Sequence, residues 1–235
     1  MDIAKAFTYI TEDERWVGKI GIGALISLLS FLLVPIPLLV GYVVGISRNV
    51  MEQADRPLPE WDDFGRLFRD GLSILVAQFV YTLPFWLLTC IAIIATVGFS
   101  GLAGVSEDAA ALGIISTFGL VSCLGLLFAL ALFFISPAIV IQYLRTDNLG
   151  ACFRFGEVIG IARDNVGDIL IAALASFVAS FIIGSVLGIL NIIPCLGQIL
   201  SLILGVAAGP YLAAITGHLY GQIAAKVSGK AAGFA

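Results

Sequence analysis

From Ile169 to Ala225 the chain reads ILIAALASFVASFIIGSVLGILNIIPCLGQILSLILGVAAGPYLAAITGHLYGQIAA, and no Asp, Glu, Lys or Arg interrupts it. A helix that crosses a bilayer needs about 20 such residues. A soluble helix would place a charge on its outer face every turn or two. The run is long enough for two passes, and Asn191 to Gly197 supplies the turn between them. Three more charge-free stretches precede it: Ile20 to Ser47, Gly71 to Ser106 and Ala109 to Leu144. Of the 235 residues 60% are apolar and 12% charged, against roughly 25% charged in an ordinary soluble domain. The mean hydropathy is +1.08. A membrane β-barrel would show short alternating segments rather than apolar blocks. Helices are then the only way to satisfy the backbone in lipid. The fold class expected is all-α, a polytopic transmembrane bundle forming one integral membrane domain over 1–235.

Four passes are plain: 71–97, 112–143, 167–190 and 197–223. Pro84, Pro137 and Pro210 fall inside them, where each removes a backbone donor and should kink its helix. Residues 16–47 are harder to read. Pro35 and Pro37 interrupt an apolar run too long for one ordinary pass. It forms either one kinked helix, giving five passes, or a helical hairpin turning at Val34-Pro35-Ile36-Pro37, giving six. Positive charge helps to decide, because Lys and Arg collect on the cytoplasmic side. They occur in four places: Lys5, Arg15 and Lys19; Arg48, Arg56, Arg66 and Arg69; Arg145, Arg154 and Arg163; Lys226 and Lys230. The connections at 98–110 and 191–198 have none. A hairpin puts all twelve on one side. The hairpin is therefore preferred, with a second arm that is short before Arg48, and both termini are expected in the cytoplasm of a cell-membrane protein.

The polar segments carry amphipathic patterns. Asp2 to Ile10 reads as a short interfacial helix, and Thr11 with Glu14 has capping-box spacing for the start of the next. Pro57-Leu58-Pro59-Glu60-Trp61-Asp62-Asp63 reads as a turn leading into a helix. From there Trp61, Phe64, Phe68 and Leu72 share one helical face, and Asp62, Asp63, Arg66, Arg69 and Asp70 the other. Residues 57–70 are thus expected to be a cytoplasmic amphipathic segment, helical from Trp61 onward, whose face of Trp61, Phe64 and Phe68 lies at the membrane surface or against the bundle. Residues 147–165 are expected to form a second such segment. Phe155-Gly156 and Arg163-Asp164 there echo Phe64-Gly65 and Arg69-Asp70, which raises an internal duplication against chance similarity.

Gly41-Tyr42, Arg48-Asn49-Val50, Leu58-Pro59-Glu60-Trp61-Asp62-Asp63-Phe64-Gly65, Phe68 and Asp70-Gly71 together resemble the signature of the domain-of-unknown-function family 4013, multi-pass membrane proteins of archaea and bacteria. The resemblance implies placement in a membrane and no particular activity.

The sequence bears on three function classes. Gly98-Phe99-Ser100-Gly101 resembles the Gly-x-Ser-Gly motif of the rhomboid intramembrane proteases, and His218 lies in the last pass. The chemistry needs the hydroxyl within about 3 Å of the imidazole, yet the topology sends Ser100 and His218 to opposite faces. No catalytic residue is expected. A transporter should show ionisable groups in mid-membrane; none is found, although a carrier of a small apolar or lipid-like solute needs none, and helices broken at Pro35 and Pro37 suit such a site. The preferred reading is a non-enzymatic membrane interaction or accessory module. It rests on small-residue stripes at four-residue spacing: Ala172, Ser176, Ser180, Gly184, Gly188 in one helix, and Gly197, Ser201, Gly205, Gly209, Ala213, Gly217, Gly221, Ala225 in the next. Small residues let helices approach closely in lipid. The two stripes are expected to face each other as an antiparallel pair, with Gly184, Gly188, Gly205, Gly209, Gly217 and Gly221 at the contact. The partners implied are the lipid bilayer and, through small-residue faces, another protein or a second copy. A net charge of −4 argues against nucleic acid. Cys90, Cys123, Cys152 and Cys195 are scattered without Cys-x-x-Cys spacing, so neither a disulfide framework nor a metal site is expected, and no cofactor. The polar opening Met1-Asp2 and the long run from Ile20 do not read as a secretory signal.

Overall fold

The computed structural model describes residues 1–102 and 106–229, and among them every regular element is helical. Nine α-helices follow in order: α1 Ile3–Glu12, α2 Trp16–Leu28, α3 Ile36–Met51, α4 Phe64–Leu102, α5 Glu107–Thr146, α6 Leu149–Cys152, α7 Phe155–Asp164, α8 Val166–Asn191 and α9 Leu196–Val227. Four helices are long and apolar enough to cross a membrane: α4 over its Phe64–Thr96 part, α5, α8 and α9. They contain the four expected passes. Helices α4, α5 and α9 continue unbroken through their internal prolines, Pro84, Pro137 and Pro210.

Residues 16–47 form a hairpin. Gly23 of α2 lies against Pro210 of α9 and Ser27 against Gly209, while Gly217 lies against Val43 of α3 and Gly221 against Val50. The chain thus runs down α9 along α2 and up it along α3, so α2 and α3 are antiparallel. A 3-10 turn, Leu29–Leu32, ends α2. With that turn the first arm is about 28 Å long, and the 16-residue α3 about 24 Å. The second arm falls short of the roughly 30 Å hydrocarbon core, as its early arginine implied.

Both helical hairpins turn by the same device at the end remote from the charges. Val34 N donates to Leu32 O at 2.7 Å, and Leu196 N to Pro194 O at 2.8 Å. Each closes a γ-turn whose central residue has positive φ, 63° at Leu33 and 60° at Cys195. Neither is glycine, so both turns carry backbone strain.

Two local expectations are corrected. The capping box Thr11–Glu14 does not start α2. Thr11 lies within α1 and its hydroxyl donates to Thr8 O, while α2 begins at Trp16. Asp13 is diverted to Arg15 N and Lys19 instead. The amphipathic helix expected from Trp61 begins three residues later and is continuous with α4 rather than separate from it. Residues 57–63 are irregular, and α4 starts at Phe64 behind Asp63, whose carboxylate accepts from Arg66 N. One residue of the polar face departs from expectation. Phe64 is 46% exposed and Phe68 half-buried, whereas Asp70 is 2% exposed. An ionic partner on α3, invisible to helical periodicity, draws Asp70 inward. The second polar segment divides into α6 and α7, and α7 buries Val158, Ile161 and Ala162.

The core lies at the charged end, where α3 is enclosed by α4 and α9. Beyond it the helices separate into two arms, α4 with α5 and α8 with α9 and α2, and α5 scarcely touches α8.

Candidate functional site

At the charged end, α3 and α4 cross with their backbones in contact. A Cβ built on Gly41 would lie 1.8 Å from Leu67 O, and one on Gly71 would lie 1.8 Å from Pro37 O. No larger residue fits either position without moving a helix. This crossing brings Arg48 of α3 beside Asp70 of α4. Arg48 Nη1 donates to Asp70 Oδ2 at 2.8 Å, and Arg48 Nη2 to Asp147 Oδ1 at 2.6 Å. Tyr143 of α5 donates its hydroxyl proton to the other Asp70 oxygen at 2.9 Å. Arg66 and Arg69 stand 3.9 and 3.7 Å from the same carboxylate. Arg48 and Asp70 are both buried, and a buried ion pair is tolerated only when its lone pairs and protons are satisfied this way. The network joins α3 to α4 and to the end of α5.

A second cluster adjoins the first. Trp61 stacks on Tyr42 with ring centroids 4.4 Å apart and planes 6° from parallel. Its Nε1 donates to Lys19 O at 2.8 Å. Lys19 Nζ donates to Asp13 Oδ2 at 2.8 Å and to Leu58 O at 2.7 Å, and Glu60 lies 3.1 Å away. Burial of Asp13 opposes its ionisation, but the hydrogen bonds from Lys19 and Arg15 outweigh it and hold the carboxyl below its ordinary value. Asn49 Nδ2 donates to Pro57 O at 3.0 Å, pinning the irregular loop to α3. A cleft of about 250 Å³ opens beside the clusters, lined by Arg48, Glu60, Asp62, Asp63, Arg66 and Asp70 among others.

The last helix meets the hairpin with the tightest part of its smooth face, at Gly217 and Gly221. A Cβ on Gly221 would lie 2.6 Å from Val50 Cβ and 2.7 Å from Ser47 O, and one on Gly217 3.0 Å from Val43 O. Gly209 faces Ser27, while Gly205 meets only Leu187 at 3.8 Å. Gly184 and Gly188 have nothing within 4 Å. The expected pairing of the two stripes is therefore corrected. The helices α8 and α9 are neighbours, joined by Ser176 and Thr216 at 3.3 Å and by Lys226 and Asp168. But α8 buries Ile169, Ala172, Ala175 and Ala179, because the hairpin already occupies the glycine face of α9. Gly197 serves the turn, where a Cβ would meet Leu190 O at 2.0 Å.

His218 is buried, its Nδ1 is 3.0 Å from Gln222 Nε2, and its ring lies 4.4 Å from that of Tyr9. Gln222 in turn bonds the backbone of Asp2, so His218 helps to seat α1 on α9. The side chain of Ser100 lies outside the described residues. Its backbone position is 36 residues beyond Phe64 on α4, about 54 Å along the helix, away from the end that holds His218. Cys152 is buried, and burial pushes its thiol up to about 11; an inert packing role follows. Among the described residues no His, Cys, Asp or Glu cluster has the makings of a metal site.

Sequence reasoning named most of these residues but missed how they pair. Arg48 closes a 28-residue charge-free run and Asp70 immediately precedes another. A charge at each junction, beside Gly41 and Gly71, was the available signal.

No curated protein and no solved structure matches the chain. The sequence profile described as "Protein of unknown function (DUF4013)" matches residues 24–192, which holds both arms of the glycine crossing and the Arg48–Asp70 pair, and the chain belongs to that family.

Proposed function

We propose that this is a six-pass protein of the cell membrane, with the hairpin α2–α3 as its first two passes, the short second one accommodated by local thinning of the bilayer, and both termini in the cytoplasm, and that it works as a non-enzymatic interaction or accessory module. The observation that carries this reading is the fate of the residues that bear the family likeness. Gly41 and Gly71 make the helix crossing, Tyr42 and Trp61 stack, Arg48 and Asp70 pair, and Asn49 holds the loop. Arg48, Asp70, Asn49 and the Trp61 indole N–H are all engaged inside a joint between passes, where the buried Tyr42 hydroxyl alone of these groups has no hydrogen-bond partner, and such an arrangement builds a scaffold.

Reporter fusions at residue 2, at Glu107 and at the C-terminus test the placement: 2 and the C-terminus should report the cytoplasm and 107 the outside. Crosslinking in native membranes, followed by purification under denaturing conditions, tests the module. A protein recovered in near-equal amount supports it, and recovery of the bare chain at every crosslinker length refutes it.

A second reading, a carrier of a small apolar or lipid-like solute, is favoured by one feature. A cleft of about 450 Å³ lies between α5, α8 and α9, lined in part by hydroxyl groups from all three.

A further inference from the structure

We propose that the cleft between α5, α8 and α9 binds a neutral, hydroxyl-bearing lipid from the surrounding bilayer. The inference goes beyond the module reading and rests on the membrane placement given with it. Ser136 of α5, Ser176 and Ser180 of α8 and Thr216 of α9 line the cleft, flanked by the exposed rings of Phe133 and Phe177. Its volume, about 450 Å³, falls in the roughly 300–1,000 Å³ range of ligand pockets. The helices α5 and α8 scarcely touch, so the cleft is open sideways, toward lipid.

Depth, charge and hydrogen bonding each narrow the ligand. Ser136 is seven residues from Tyr143 on α5, and its hydrogen-bond partner Gln78 is eight from Asp70 on α4. The hydroxyls thus sit about 10–12 Å past the ionic layer, inside the leaflet nearer the charged end. No Asp, Glu, Lys, Arg or His lines the cleft, so a charged ligand would go uncompensated there. Ser180 donates to Ser176 O at 2.8 Å and Thr216 to Leu212 O at 2.9 Å. The 3.3 Å contact between Ser176 and Thr216 must then use the proton of Ser176, because each hydroxyl has only one. Ser176 and Ser180 keep accepting lone pairs. Ser136 accepts from Gln78 Nε2 at 2.8 Å and keeps its own proton to give. A ligand that answers both must donate and accept at one neutral group. A hydroxyl does so; an ester only accepts, and an ammonium only donates.

The test uses the full-length protein in phosphatidylcholine vesicles with a long-chain alcohol carrying a mid-chain diazirine. Light-induced labels are mapped by mass spectrometry, with hexadecanol and its methyl ether as competitors. Labels should concentrate on residues lining the cleft, and the alcohol should compete roughly fivefold to tenfold better than the ether, the difference one hydrogen bond makes. Ala173→Phe, which fills the cleft, should abolish the concentrated labelling. Ser180→Ala should bring alcohol and ether closer together. Leu174→Phe, on an exposed position, should change neither. Labels spread evenly over exposed residues such as Leu170, Leu174 and Phe181, or equal competition by the two compounds, overturn the site and leave the membrane placement standing. Absence of labels from every helix overturns both.

Discussion

Arg48 and Asp70, 22 residues apart in sequence, form a buried ion pair 2.8 Å long across the crossing of α3 and α4. The crossing itself is made by Gly41 and Gly71, where the backbones of the two helices touch. Removing one partner takes away the other's buried counter-charge, leaving Arg48 with the exposed Asp147, or Asp70 with Tyr143 and the longer contacts to Arg66 and Arg69. Asp70→Asn and Arg48→Met should each cost about 3–5 kcal/mol. The double variant should cost much less than their sum, as contacting residues do. Thermal unfolding in detergent measures all three; simple additivity would show that the pair contributes nothing specific.

The glycine crossing makes a sharper steric prediction. Gly41→Ala or Gly71→Ala places a methyl group on a carbonyl oxygen and must push α3 and α4 apart. A loss of about 3 kcal/mol, the upper range for overpacking, is expected for each. Gly160→Ala in α7, where nothing lies within 4 Å, should be neutral or slightly stabilising because alanine is the better helix former. Equal melting temperatures for the Gly41 and Gly160 variants would contradict the crossing.

The two faces of the last hairpin should respond oppositely to bulk. Gly221→Leu should lower the melting temperature strongly, since Val50 and Ser47 already crowd that position. Gly184→Leu and Gly188→Leu, with open space around them, should be tolerated. Cysteines replacing Ser176 and Thr216 should form a disulfide, because the native oxygens are 3.3 Å apart. Sensitivity at Gly184 comparable to that at Gly221 would place a partner on the open face of α8.

Asp13 governs an acid dependence. Its carboxyl ionises more readily in the folded protein than the ordinary value of 3.8 allows, through its bonds to Lys19 and Arg15. A lowered value means the stabilisation is complete above 3.8 and is lost as pH falls through the lower, folded-state value. Stability in detergent should therefore decline below about pH 4, and Asp13→Asn should flatten that part of the profile while lowering the plateau above it. An unchanged acid limb in the variant would assign the dependence to other carboxylates.

The strained γ-turns offer a gain. Leu33→Gly and Cys195→Gly relieve positive φ at a non-glycine residue, and each should stabilise by about 1 kcal/mol, the relief exceeding the added freedom of the unfolded chain. A fall in melting temperature for both would mean that the side chains, exposed at Leu33 and Cys195, hold the turns in another way.

The sequence by itself determined the helical class, the four long apolar helices and the segregation of charge, and it narrowed residues 16–47 to a kinked helix or a hairpin. Each follows from local physics: lipid admits no unsatisfied backbone, and charge cannot stay in its core. Tertiary structure decided what faces what. Helical periodicity put Asp70 among the exposed polar residues, and the fold buries it because Arg48 arrives from another helix. The glycines of α9 were legible as a smooth face, but every helix in lipid is a candidate neighbour for such a face. The hairpin α2–α3 took it, leaving Gly184 and Gly188 open. In a bilayer the apolar side chains are at home on either surface of a helix, so the hydrophobic pattern loses its power to say which side is buried. Only the few polar pairs and backbone-to-backbone contacts, made between residues far apart in the chain, remain to choose the arrangement.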